Sequence, residues 1–303
     1  IFNLKDETIS IDKKIYKIKI QIASYSTGSF SIRLRCILNN INIEQLRKLS
    51  FDNKTKDIVK NIANNTKLII NSIKINEINE SYKFYYINGN KNKIIKKYRK
   101  FIAGLLIDEE DVKILDENYI KEALSKNISY NFDDVFIVGW ESAIIIDKLK
   151  SYEYELIVAE IANIQFLEMR VYKKAITNML KSTNKLVSEI AELNSLQRLY
   201  NRGLKKSELM LGEFYDKTND LLNNIVETPF GFGEWYLSKL YFLFSNVFKL
   251  DLLKNSLKEN LDLIEKRRIF ISDIIATIHG DILEFTIILL IIIEVLLELL
   301  YVF

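Results

Sequence analysis

Histidine, cysteine and proline are nearly absent from this chain, and each scarcity narrows what the protein can do. Its 303 residues contain one histidine, His279, one cysteine, Cys36, and one proline, Pro229. A single cysteine excludes an internal disulfide framework and a cysteine zinc cluster, and it is typical of a reducing compartment. A single histidine argues against histidine metal sites and catalytic triads. With one proline, long unbroken helices are allowed almost everywhere.

The overall composition is that of ordinary folded protein. Hydrophobic residues make up 49% and charged residues 27% of the chain, and the net charge is only +3. This imbalance is too small to predict nucleic-acid binding by itself. The sequence contains no evident nucleophile–base pair and no metal-ligand cluster. We therefore expect a protein that is not an enzyme and that carries no cofactor or metal.

The beginning of the chain shows a strand followed by a turn. Apolar and polar residues alternate over Ile18–Ile22, which predicts a strand with one buried face. The segment 25–29 contains Gly28 between hydroxyl residues and predicts a turn. The same turn could also cap a helix running through Leu34 and Leu38, so a helix is one expectation for that segment.

Three further segments in the first half have strand character. Ser81–Ile87 is rich in aromatic residues and is followed by Asn88–Asn90, a strong turn signal. Val135–Trp140 is a continuous apolar run of strand length, and Ala143–Ile146 is expected to pair with it as a hairpin. Together with the helical patterns between them, these segments predict a mixed domain.

The second half of the chain is helical in pattern. Apolar residues recur every three or four positions over Ile157–Val171, and a loop at 228–233 precedes a last long helix over Trp235–Leu261. The predicted fold class is α+β: an N-terminal mixed α/β domain at 1–150, a helical domain at 151–280 and one C-terminal transmembrane helix at 281–303.

The C-terminal segment carries the strongest pattern. Ile282–Phe303 is about 33 Å long as a helix, enough to cross a bilayer core of about 30 Å. Its charged residues, Glu284, Glu294 and Glu298, fall on one face within an arc of about 80°. We expect this acidic face to contact another copy or a partner helix in the membrane. The alternative is a helix of a soluble bundle whose glutamates point to solvent.

A run of six cations is the best candidate for a binding site. It spans 91–100 and contains an aromatic residue among the charges. Such a run can bind RNA phosphates or anionic lipid headgroups, or it can simply be a solvated helix face. Its cations are Lys91, Lys93, Lys96, Lys97, Arg99 and Lys100.

An ordered set of short motifs resembles a known family. In chain order the motifs are Phe136–Glu141, Val158–Ile161 with Glu168, Gly203–Leu204 with Gly212, Thr228–Phe230 with Glu234–Trp235, and Ile282–Val295. The set resembles the YagE-like proteins, also called the required-for-meiotic-nuclear-division family. That resemblance implies a C-terminal membrane anchor, no agreed catalytic residues and, in mitochondrial members, support of organellar translation.

The expected function is a membrane-anchored scaffold that tethers mitochondrial ribosomes or mRNA-handling partners at the inner membrane. Lys266–Arg268 precede the predicted span, which places the bulk of the chain in the matrix, or in the cytoplasm if another membrane is used. The expected partners are the lipid bilayer, further copies of the chain or a larger membrane complex, and the ribosome, with direct RNA contact left open. The alternative function is a structural subunit of an inner-membrane complex without ribosome contact.

Overall fold

The computed structural model describes residues 1–4, 6–11, 14–25, 27–39, 41–70, 80–148, 152–192, 203–227 and 234–302. The chain divides into two compact units. The mixed unit comprises Ile1–Glu168 and Glu227–Asp251, and the helical unit comprises Met169–Val226 and Leu252–Phe303. The predicted domain boundaries at 150 and 280 remain predictions.

The first sheet of the mixed unit is antiparallel and is centred on β3 (Lys14–Ser24). Strands β1 (Phe2–Asn3) and β2 (Glu7–Ile11) pair with one edge of β3, and β4 (Phe30–Cys36) pairs with the other. The strand predicted over Ile18–Ile22 is confirmed as part of β3. Its buried isoleucines pack against Ile62 of helix α2 (Asn53–Ile70), which explains the alternation in the sequence.

The helix expected through Leu34 is wrong, because this segment is strand β4. The turn before it is confirmed: Gly28 has a φ of +89°, and its amide donates to the carbonyl of Tyr25. A glycine at this φ allows the chain to reverse and pair β4 with β3. In β4 the apolar residues alternate with Arg33 and Arg35, a period of two that fits a strand better than a helix.

The second sheet has the order β5-β8-β7-β6 and lies in the same unit. Its strands are β5 (Lys83–Asn88), β6 (Asn127–Ile128), β7 (Val135–Val138) and β8 (Ser142–Asp147). The aromatic strand and the hairpin predicted from the sequence are confirmed as β5 and as the antiparallel pair β7 and β8. The parallel pair β5 and β8 is connected through α3 (Lys91–Ile107) and α4 (Glu117–Ser125).

This second sheet is buried on both faces, so its central strands are apolar throughout. On one face, Ile137 and Ile144 pack with Leu106 of α3 and Phe51 of α1 (Ile43–Phe51). On the other face, the Phe136 ring contacts the rings of Phe84 and Phe244, the latter on α7 (Trp235–Phe248). Burial on both faces requires continuous apolar runs instead of alternation.

Buried tyrosines predict alkaline instability of the mixed unit. Burial raises the pKa of Tyr85 to about 12, and burial together with Asp251 raises that of Tyr241 to about 12. A phenol whose folded pKa exceeds its unfolded value of about 10 stabilises the fold fully below pH 10, and this contribution is lost as the pH rises from about 10 to about 12. We expect the helical circular dichroism signal to decrease over that window.

The measurement is a titration at 295 nm, where tyrosinate absorbs, together with circular dichroism. Subtracting the 295 nm titration curve of Tyr85→Phe from that of the wild type isolates the ionisation of Tyr85. We expect Tyr85 to ionise close to pH 12 or together with unfolding. Ionisation of Tyr85 near pH 10 with full helicity would contradict the prediction.

The helical unit is built from three long segments. These are the second part of α5 (Glu153–Glu192), α6 (Gly203–Glu227) and the greater part of α8 (Leu250–Val302). The Arg267 guanidinium donates to the carbonyl of Leu180 at 2.7 Å and to the Thr183 hydroxyl at 2.9 Å, and it ties α8 to α5.

The single long helix expected from Trp235 onward is two helices, α7 and α8. Lys249 separates them with a φ of +53°, and its amide donates to the carbonyls of Asn246 and Ser245. A left-handed residue at this point ends α7 and lets the chain restart as α8. The loop predicted at 228–233 lies outside the described residues.

The C-terminal transmembrane helix predicted at 281–303 is wrong. Among the described residues, no helix is long and apolar enough to cross a membrane. The physical reason is the spacing of charge: between Glu284 and Glu294 the uncharged stretch is only Phe285–Ile293, whereas a span needs about 20 largely apolar residues. The described part of the chain is instead a mixed α/β fold with eight helices.

Candidate functional site

The predicted basic run forms helix α3. The Asn90 side chain caps the helix by accepting from the Lys93 amide at 3.2 Å, which explains why the helix begins directly after the turn. The helix kinks at Tyr98, where φ is −121° and ψ is 18°. Its apolar side is buried against the second sheet through Ile102 and Leu105, and most cations of the run at 91–100 are exposed.

The six predicted cations divide into two groups. Lys91 is engaged in the fold, since its ammonium donates to the Ser129 hydroxyl at 3.1 Å. Arg99 and Lys100 share the carboxylate of Glu117, at 3.0 and 3.6 Å. The other three, Lys93, Lys96 and Lys97, are exposed and form no ion pair with any described residue.

A fourth free cation comes from the neighbouring helix α4. Lys121 is exposed, and it too lacks an ion pair within the described part of the chain. With Lys96 and Arg99 it lines an open groove between α3 and α4 whose apolar lining is Ile95 and Leu124. We call Lys93, Lys96, Lys97 and Lys121 the basic surface.

Sequence reasoning missed Lys121 because it lies outside the run at 91–100. The signal that identifies it is tertiary: α4 packs beside α3, and the helix repeat brings Lys121, Leu124 and Ser125 to the groove. What the arrangement can do chemically is bind anions, since four exposed lysines lie together and none forms an ion pair with a described residue. Lys97 also lies over the Tyr98 ring and interacts with the Glu44 carboxylate.

A second polar cluster joins the first sheet to α5 and is buried in part. Arg33 of β4 pairs with Glu160 of α5, and their side chains are 19% and 10% exposed. Burial, and then the Glu160 carboxylate, raise the pKa of Tyr25 to about 12. Arg35 makes a two-pronged pair with Glu153 at 2.7 and 2.9 Å. We interpret this cluster as a set of contacts that stabilises the fold and not as a binding site.

The predicted acidic face of the C-terminal helix lies on α8. Glu284, Glu294 and Glu298 are all exposed, and none forms an ion pair within the described residues. Nowhere in the described part of the chain do three or more histidine, cysteine, aspartate or glutamate residues form a group suited to a metal ion. The described residues therefore offer the basic surface as the best candidate site.

Comparison with known proteins assigns the chain to a different family from the one inferred from its motifs. A family model described as "Uncharacterized protein MJ0711, N-terminal domain" matches residues 1–153, half of the chain. The chain is 25% identical over 229 residues to "Uncharacterized protein MJ0711" of Methanocaldococcus jannaschii, a match covering 73% of this chain and 66% of that protein. It therefore spans just under two thirds of the relative's length. No solved structure matches the chain.

These comparisons overturn two expectations. The resemblance to the YagE-like, required-for-meiotic-nuclear-division family is wrong, since its motifs are short and the matched family is a different one. The mitochondrial inner-membrane location is also wrong: it depended on that resemblance and on a span that is not found, and the matched relative is archaeal, from a cell without mitochondria. The chain belongs to the family defined by the N-terminal domain of protein MJ0711.

Proposed function

We propose that this protein is a non-catalytic scaffold whose mixed unit binds the phosphate backbone of RNA through the basic surface. The observation that carries the proposal is a set of four exposed lysines on two adjacent helices, none of which forms an ion pair with a described residue. Of the translation tether expected from the sequence, the proposal keeps only this RNA contact. The membrane anchor and the mitochondrial location are left out.

Charge and shape together favour a polynucleotide as the ligand. Lysines spread over two helices match the repeated phosphates of a strand, and each neutralised phosphate releases bound counterions. The groove beside them has apolar side chains, Ile95 and Leu124, that accept an unstacked base. Unstacked bases are available in single-stranded RNA and hidden in a duplex, so a single strand is the preferred form.

The experiment is fluorescence anisotropy of a mixed-sequence, single-stranded RNA oligonucleotide with the full chain, repeated over a series of salt concentrations. Replacing Lys93, Lys96, Lys97 and Lys121 with glutamine is expected to weaken binding by roughly 10- to 100-fold near 0.1 M salt. The slope of log affinity against log salt should fall by up to about 3, from about 0.7 for each lost phosphate contact.

The matched control replaces four exposed lysines of the helical unit, Lys173, Lys174, Lys205 and Lys206, with glutamine. The net charge then changes equally in both variants, and only the position differs. Equal loss of affinity in both variants would reduce the effect to net charge and overturn the site. Wild-type protein without measurable RNA binding at 50 mM salt would overturn the function.

The second candidate function is a structural subunit of a larger assembly. It is favoured by a separate observation, the apolar surface of α8. Insensitivity of the assembly to the four lysine changes would agree with this candidate, because a structural subunit does not need the basic surface.

A further inference from the structure

The end of α8 is a helix without neighbours among the described residues. Among the side chains of α8 that the structure describes, the last buried one is Ile271, and those from His279 to Glu298 are all exposed. Thirteen large apolar residues between Ile282 and Leu297 are each 43% to 67% exposed. An apolar helix segment of this kind does not stay uncovered in water.

The apolar pattern of this segment continues a seven-residue repeat that begins inside the helical unit. Leu257, Ile264 and Ile271 are fully buried there, seven residues apart. The same spacing continues as Ile278, which is half-buried, and then as Phe285 and Ile292, which are exposed. A repeat sustained over this length keeps one seam of the helix facing a partner helix and is typical of a coiled coil.

The positions beside this seam are also apolar, and the acidic residues lie away from it. Ile288 and Val295 follow the seam residues by three, and Ile282, Leu289 and Leu296 follow them by four. On a repeat of 3.5 residues per turn, Glu284, Glu294 and Glu298 lie at least about 100° from the seam. This places the glutamates in solvent.

We infer that the seam formed by Ile278, Phe285 and Ile292 packs against the same seam of a second copy of the chain, in a parallel coiled coil. The pairing is in register, since each apolar layer then meets an identical layer. In the membrane pairing expected from the sequence, the glutamates faced the partner helix. Here the apolar seam faces the partner helix and the glutamates face away from it. In water the membrane pairing would bring like charges together, whereas the apolar seam leaves them apart.

The available area agrees with a second copy as the occupant. The seven exposed apolar side chains on or beside the seam, from Ile282 to Leu296, present on the order of 600 Å² of apolar surface per copy, the lower end of the roughly 600–1,000 Å² per partner that a stable interface buries. In a parallel, in-register pair, the second copy supplies an apolar segment of the same length at the same position along the helix and with the same charge pattern. This inference is independent of RNA binding, so either can fail alone.

The experiment measures the mass of the full chain by sedimentation equilibrium over a range of concentrations. The seam variant carries Phe285→Glu and Ile292→Glu, and the control variant carries Leu283→Glu and Leu290→Glu, at similarly exposed positions on the opposite side of the helix. We expect the wild type and the control to form a dimer or a higher homo-oligomer. The seam variant should dissociate at least ~100-fold more readily, because its glutamates would be buried.

Far-UV circular dichroism checks that both variants keep the helical content of the wild type. Two results would overturn the inference: a wild type that is monomeric at all concentrations, or equal weakening by the two variants. A monomer that sediments with phosphatidylcholine vesicles would also overturn it, because a lipid surface would then cover the seam.

Discussion

Replacing Phe136 with alanine is expected to lower the free energy of unfolding of the mixed unit by about 3–5 kcal/mol. The Phe136 side chain is 1% exposed and lies at the centre of the second sheet. Its ring centroid is 5.8 Å from that of Phe244 and 6.3 Å from that of Phe84, both in edge-to-face geometry. Truncation removes these contacts and leaves a cavity that a sheet held on both faces cannot close.

Urea unfolding followed by near-UV circular dichroism measures this change. The control is Phe132→Ala, since Phe132 is 96% exposed and its loss should change the free energy of unfolding by less than about 0.5 kcal/mol. If Phe136→Ala lowers the free energy of unfolding by less than about 1.5 kcal/mol, the surrounding side chains must have moved in to fill the space around the smaller side chain. Equal effects of the two changes would show that Phe136 is not a core residue.

The sheet around Phe136 is also the part of the fold that the sequence predicts best. Val135–Trp140 and Ala143–Ile146 are short apolar runs separated by Glu141 and Ser142, and the local pattern is enough to assign them as paired strands. The parallel pairing of β5 with β8 is different, because about fifty residues separate the two strands. No local pattern records which strand lies beside which.

Strand β4 shows how a local pattern can be misread. Leu34 and Leu38 are four residues apart, as in a helix, but Ile32 and Leu34 alternate with Arg33 and Arg35, as in a strand. The pairing with β3 decides between the two, because it satisfies the backbone of β4 along its whole length. The alternation of apolar and charged residues was the better guide to the structure of this segment. Only the pairing with β3 establishes that the segment is a strand.

The candidate site was predictable in part. The run at 91–100 identifies a basic helix, yet the structure engages Lys91, Arg99 and Lys100 in contacts with the fold and adds Lys121 from another helix. Which cation has a carboxylate beside it depends on tertiary packing, and Glu117 is 17 residues from Lys100. The apolar character of α8 was evident from the sequence, whereas its surroundings were not.

Replacing Arg33 with methionine is expected to destabilise the mixed unit by about 3–5 kcal/mol, because it leaves the Glu160 carboxylate buried without its cation. Glu160 is 10% exposed, and its second oxygen, Oε1, is already buried without a hydrogen-bond partner among the described residues. The pair joins residues 127 positions apart, so its loss weakens the attachment of β4 to α5, which the Arg35–Glu153 pair still holds. Urea unfolding at neutral pH measures the change.

A double-mutant cycle distinguishes this mechanism from simple loss of packing. Replacing both Arg33 and Glu160 with methionine removes the two charges together, and an apolar pair of similar size in a buried place costs far less than one stranded charge. We therefore expect the double variant to be more stable than Arg33→Met alone by about 2 kcal/mol or more. The exposed pair of Lys185 and Glu189, at 3.8 Å, is the control, and its disruption should cost less than about 0.5 kcal/mol. If the two single changes at Arg33 and Glu160 add without coupling, this pair does not hold β4 to α5, and the first sheet is attached to α5 by its other contacts, among them the Arg35–Glu153 pair.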